Sequence, residues 1–145
     1  MVIENNVFRE APYALIISVP DVPPLNTASD LTWKQKRNYR KKWEKIIFGY
    51  SYNQRPTSTL RHAIVSITRH TSGRAPDYDN LVQSAKVVVD PLIKCGIIHD
   101  DNPETIGRLV VKWRKSKTGY KHTTVYVREC RKDELDLGPW DWEVE

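Results

Sequence analysis

Cysteine is scarce in this chain: Cys95 and Cys130 are the only two in 145 residues. They have neither the CxxC spacing of a zinc or redox motif nor the density of a secreted disulfide scaffold, so a reduced, intracellular and cytoplasmic setting is expected. Long apolar runs are missing too. The longest near the N-terminus, Tyr13 to Val19, is too short to cross a bilayer and follows Glu4, Arg9 and Glu10, so neither a signal peptide nor a membrane anchor is expected. Glycine is sparse, with six residues and no glycine-rich phosphate loop, which removes the usual signature of nucleotide binding. Internal repeats and low-complexity segments are absent.

What is abundant is positive charge. The formal net charge is +5, but residues 133–145 hold Asp133, Glu134, Asp136, Asp141, Glu143 and Glu145 with no Lys or Arg. Taking those six from the 18 acids leaves 12 against 23 basic side chains, or +11. A field of that sign attracts polyanions and makes binding to phosphate backbones salt-dependent. The length fits one domain, placed at residues 1–132, with 133–145 as an acidic and flexible tail carrying Trp140 and Trp142.

Periodicity predicts a chain order β-α-β-α-β-β. Tyr13–Val19 reads as a strand apolar on both faces, ended by Pro20 and the proline-rich loop to Asn26. Thr32-Trp33-Lys34-Gln35 has the form of a capping box, and Tyr39, Trp43, Ile46, Ile47 and Tyr50 then recur at helical spacing. Alternation from Arg61 to Arg69 suits a half-exposed strand, and Asp79 to Cys95 reads as a second helix closed by Gly96 and kinked at Pro91. Leu109–Trp113 and His122–Val127 complete the pattern as a hairpin joined by a lysine-rich turn. The fold class expected is α/β (α+β): one mixed sheet with two main helices packed on it.

The first helix carries seven cations, among them Lys34, Lys36, Arg37, Arg40 and Lys41, against one acid, Glu44. With Arg69, Arg74, Lys115, Lys117 and Lys121 from the loops and turn, these are the candidate DNA contacts. Against this basic background stand the acids Asp77 and Asp79, then Asp100 and Asp101 after Gly96. Asp79, Gln83, Lys86 and Asp90 are spaced by four, three and four, so they form one polar stripe of the second helix. Carboxylates gathered this way repel one another unless a cation sits among them, and hard oxygen donors without a His/Cys cage favour magnesium or manganese. Taken singly each has a plainer role, as a helix cap, a turn or a helix end. An EF-hand does not fit, because the loop from Asp77 lacks the glycine at its sixth position.

At Asp77-Tyr78-Asp79-Asn80-Leu81, at Lys86 with Asp90, and at Gly96-Ile97-Ile98-His99-Asp100-Asp101, the sequence resembles the RusA family of Holliday junction resolvases. The proline-rich segment Val19 to Asn26 is similar to the family's N-terminal region, so the likeness covers most of residues 13–127, with strong motifs only from 77 to 101. The resemblance implies a homodimeric, magnesium-dependent endonuclease that cuts four-way DNA junctions symmetrically in recombination, repair or phage DNA processing. It implies that Asp77, Asp79 and Asp101 are catalytic metal ligands and Lys86 the catalytic lysine. Asp100 would join the metal ligands, with Asp90 and Asn80 in support. The family's lysine lies four residues after the second aspartate, where this chain has Gln83, whereas Lys86 lies seven after it. On a helix the two positions differ by about 60° and roughly 4.5 Å of rise.

Two other readings compete with the nuclease. A non-catalytic or weakly active junction-binding dimer would keep the fold and the basic surface. A metal-dependent enzyme acting on nucleotides or sugar phosphates would use Asp-x-Asp without needing a basic helix.

Overall fold

The computed structural model of the protein describes residues 2–4, 7–9, 13–24 and 32–131. Two short strands, β1 (Val2–Glu4) and β2 (Val7–Arg9), form an antiparallel pair. They precede β3 (Ala14–Val19), α1 (Trp33–Ser51) with a 3-10 turn at Tyr52–Gln54, β4 (Ala63–Thr71), α2 (Tyr78–Lys94), β5 (Ile106–Lys115) and β6 (His122–Glu129). From β3 onward this is the expected β-α-β-α-β-β order; the β1–β2 pair was not foreseen. The acidic tail, Leu25 and Asn26 lie outside the described residues.

The main sheet has the order β3-β6-β4-β5, with β4 and β5 parallel and the other pairings antiparallel. Parallel neighbours need a long crossover, and α2 supplies it. This corrects the expected hairpin: β5 and β6 flank β4, and the turn between them arches over the end of β4, where the Ser116 N–H donates to the Thr71 carbonyl at 2.8 Å.

Register gathers the apolar side chains into rows on one face: Leu15, Val127, Val65 and Leu109, then Ile17, Val125, Ile67 and Val111. Trp43 and Ile47 of α1 and Leu81, Ala85, Val88 and Leu92 of α2 complete a single core on that face. Strand β3, expected to be covered on both faces, is therefore covered on one side only. Leu15, Ile17 and Val19 are buried, but Ile16 is 59% exposed on an edge strand. Along that edge the Ile16 N–H donates to Gln54 Oε1 at 3.4 Å, and the Tyr13 hydroxyl donates to the Gln54 carbonyl at 2.6 Å.

Helix ends follow the sequence closely. Thr32 Oγ1 accepts from the Gln35 N–H at 3.2 Å while Gln35 Oε1 accepts from the Thr32 N–H at 2.8 Å, a reciprocal capping box. Within α1, Trp43 and Ile47 are buried and Tyr39 and Ile46 half-buried, but Tyr50 faces solvent rather than joining the inward stripe. The helix α2 continues through Pro91 to Lys94. It then closes in a Schellman motif: the Ile97 N–H donates to the Leu92 carbonyl and the Gly96 N–H to the Ile93 carbonyl, both at 3.0 Å.

Gly96 takes φ 77°, the left-handed region where a side chain is strained, so the stop that sends the chain toward Asp100 depends on glycine. Gly96→Ala is expected to cost about 1–2 kcal/mol in urea unfolding. Gly49 lies in α1 with open space around an added Cβ, so Gly49→Ala should stabilise by up to about 1 kcal/mol. Equal effects of the two changes would refute this account.

Candidate active site

The amphipathic pattern of α2 dictates its orientation. With Leu81, Ser84, Ala85, Val88, Val89 and Leu92 buried, the stripe Asp79, Gln83, Lys86 and Asp90 turns away from the core. Gln83, Lys86 and Asp90 line a cleft of about 420 Å³ whose other wall is α1, through Lys36, Tyr39 and Arg40, with Pro24 at its rim. On its other flank α2 borders a second cavity of about 280 Å³, lined by Gln83 and Lys86 again together with Val82, Val89, Leu109 and Asp101. Lys86 therefore stands between the two. Gln83 borders the same two spaces, so the three-residue displacement of the lysine keeps it on the same pair of clefts.

The acids divide into two groups. Asp77 is the N-cap of α2, its carbonyl accepting the first helical bond from the Leu81 N–H at 3.0 Å, while its carboxylate makes no side-chain capping bond. Asp79 sits in the first turn, exposed, where the helix dipole favours negative charge. Asp90 is about 16 Å further along the axis by helical rise. It lies close enough to Asp101 for their charges to interact.

Burial pushes the Asp90 carboxyl above its ordinary range; Lys86 pulls it down, Asp101 pushes it up, and Arg40 and Lys94 pull it down further. Burial and the neighbouring carboxylate prevail. Asp100 is committed to its own turn, with Oδ1 accepting from the Asp101 N–H at 2.7 Å and Oδ2 from Asn102 Nδ2 at 3.2 Å. Among the described residues, no group of three or more His, Cys, Asp or Glu side chains stands ready to hold a metal ion. Asp77, Asp79, Asp100 and Asp101 are thus not gathered into one cage. Asn80, beside Asp79 in the first helical turn, is half-buried.

Among the proposed DNA contacts, Lys34, Arg37, Arg40 and Lys41 are exposed along α1 and Lys36 is half-buried in the cleft wall. The guanidinium of Arg37 lies 5.6 Å from the Trp33 ring. Arg74, Lys115, Lys117 and Lys121 are exposed, and Lys121 approaches Asp21 at 3.6 Å. Arg69 needs correction as a DNA contact. It is 8% exposed on the helix-covered face, Nη1 donates to the Pro23 carbonyl, and burial pushes its pKa down, partly opposed by Asp21. Its role is to tie the proline-rich loop to the sheet.

Tyr39 of the cleft wall was missed as a site residue because its helical spacing reads as core packing. Asp21 was missed as well. It anchors the same loop by accepting from Lys42 at 2.8 Å, which with the Val22 N–H outweighs burial and lowers its pKa.

No protein-family model matches this chain, and no curated protein matches it significantly. The described residues contain no helix long and apolar enough to cross a membrane.

An aspartate whose pKa is raised by folding loses stability as pH rises from the unfolded value toward the folded one, because the folded state then holds more protons. Asp90→Asn is accordingly expected to raise the melting temperature at pH 7, with the gain vanishing below about pH 4. A melting temperature lowered equally at both pH values would show that the carboxylate is structural.

Proposed function

We propose that the protein is a metal-dependent, structure-specific DNA endonuclease of RusA type, acting as a cytoplasmic homodimer on branched DNA, four-way junctions foremost. The observation that carries this reading is the placement of Lys86. It borders both clefts of α2, with Lys36 and Arg40 across one and Asp101 across the other. A phosphodiester entering the cleft against α1 meets Lys36, Arg40 and Lys86, with Asp90 on the same helix at hand.

Magnesium keeps most of its water and typically needs only one or two carboxylates plus substrate phosphate oxygens. In this reading the Asp77–Asp79 pair would hold the ion, without Asp100 and Asp101, which the fold keeps apart from it; manganese would substitute. Such an ion supplies a more acidic water and neutralises charge at the leaving oxygen. The protein's own part is electrostatic: Lys86 donates to a non-bridging phosphate oxygen, and the cations of α1 hold the backbone by charge without reading bases. Asn80 supports the helix start that carries the two aspartates, and Asp90, one turn after Lys86, acts on it by charge.

The division of the acids into two groups favours a second reading, a junction-binding dimer with little or no cleavage. A labelled synthetic four-way junction separates the two. For the nuclease, paired nicks confined to the junction appear with magnesium, disappear in Asp79→Asn, and fall at least about a hundredfold in Lys86→Gln, the scale for losing a catalytic charge. Junction binding by Asp79→Asn stays at or above the wild-type level and weakens steeply with salt. Tight binding by the wild type with no cleavage in magnesium or manganese would establish the second reading. Cleavage that survives Asp79→Asn would overturn the assigned site.

A further inference from the structure

Trp33 opens α1 and is 69% exposed, a large ring held out in solvent at the first helical position. It has no share in the core, which α1 enters through Trp43 and Ile47. Residues three and four apart share a helix face, so Trp33, Arg37, Arg40, Lys41 and Glu44 run as one strip along α1. Together with Lys94 from the last turn of α2 they line a recess of about 280 Å³.

The charges of this recess differ in how far they are engaged. Glu44, its one acid, is held by Lys94 at 2.5 Å. Arg37 lies over the Trp33 ring at 5.6 Å and buttresses one side of it, leaving the rest of the ring open. Arg40 and Lys41 are exposed and form no ion pair among the described residues. Arg40 also lines the cleft that holds Lys86, and a third hollow of about 230 Å³ where α1 meets Pro91, Ile93 and Lys94. One guanidinium thus joins the Lys86 cleft to the recess.

We propose that this recess takes an unpaired nucleotide, its base stacked on Trp33 and its phosphate held by Arg40 and Lys41, and that it sets a preference for branched over continuous duplex DNA. An open aromatic ring beside unengaged cations is the combination by which sequence-tolerant sites hold single-stranded nucleotides, since every base has a π-face. A continuous duplex keeps those faces stacked inside, so it meets the cations and not the ring. A base at a branch or bulge leaves the stack at lower cost. An acidic peptide would satisfy the cations and leave the ring unused. A second copy docked through the same strip would set like charges against one another. The proposal rests on the nuclease reading in giving the recess a role in substrate choice, whereas the binding itself needs no cleavage.

Fluorescence anisotropy in EDTA, where no cutting intervenes, compares a labelled duplex of about 30 base pairs with the same duplex carrying about three unpaired thymidines at its centre. The unaltered protein is expected to bind the bulged duplex at least about fivefold more tightly, the scale of one stacked base. Trp33→Ala should bring that ratio below about twofold while changing affinity for the intact duplex by less than about twofold, and Trp33→Phe should keep at least about half of the preference. Both variants should melt with the unaltered protein, because the side chain lies outside the core. Irradiation of a bulge that carries 5-iodo-2′-deoxyuridine for thymidine, mapped by peptide mass, should place the adduct on Trp33. Equal affinity of the unaltered protein for both duplexes, a preference that survives Trp33→Ala, or adducts confined to other residues would each overturn the proposal. So would a loss in Trp33→Ala that is as large on the intact duplex or on polyglutamate. Junction cleavage whose substrate choice is unchanged in Trp33→Ala would overturn the recess and leave the nuclease standing. A bulge preference that depends on Trp33 in a protein that cuts nothing would do the reverse.

Discussion

The parallel pairing of β4 with β5 is the constraint on which the other features depend. Two parallel neighbours cannot be joined by a tight turn, so the chain must cross over the sheet, and α2 is that crossover. Its apolar face is claimed by the rows of Val65, Ile67, Leu109 and Val111. Its polar stripe has no choice but to face outward toward α1. Every property of the candidate site descends from this: Lys86 between two clefts, Asp77 and Asp79 where the helix begins, Asp100 and Asp101 where the chain returns to the sheet.

The same crossover sets a limit. Asp77 and Asp79 stay at the first turn of α2, while Asp90 and Asp101 lie beside Lys86 in its middle, so the acids form an N-terminal pair and a second group around that lysine. Mutual support between charges is correspondingly local. Asp90 is governed by burial, by Asp101 and by the lysine one turn before it. The cations of α1 influence the site from across the cleft.

Features that depend on neighbours in the chain were legible in the sequence. The capping box at Thr32 and Gln35, the buried stripe of α2 and the left-handed Gly96 each involve residues within about two helical turns, and all three form as their spacing suggests. Features that depend on which strand lies beside which were not. The alternation in β5 and β6 is equally compatible with a hairpin and with strands parted by β4, since neither periodicity nor the turn specifies the neighbour. The apolar run of β3 reads as fully covered, yet its place at the sheet's margin leaves Ile16 in solvent. Arg69 looks like one more surface cation because local pattern is blind to the Pro23 carbonyl contributed by a distant loop.

The Gln54 side chain beside β3 has a consequence for assembly. An exposed edge strand is an invitation to pair with another molecule, and proteins that remain discrete must obstruct it. Here the amide oxygen of Gln54 occupies the outward N–H of Ile16, and the Tyr13 hydroxyl fastens the backbone of that same glutamine. A fifth strand arriving from a second molecule would have to evict both. Strand addition along β3 is therefore hindered at Ile16, in the middle of the edge.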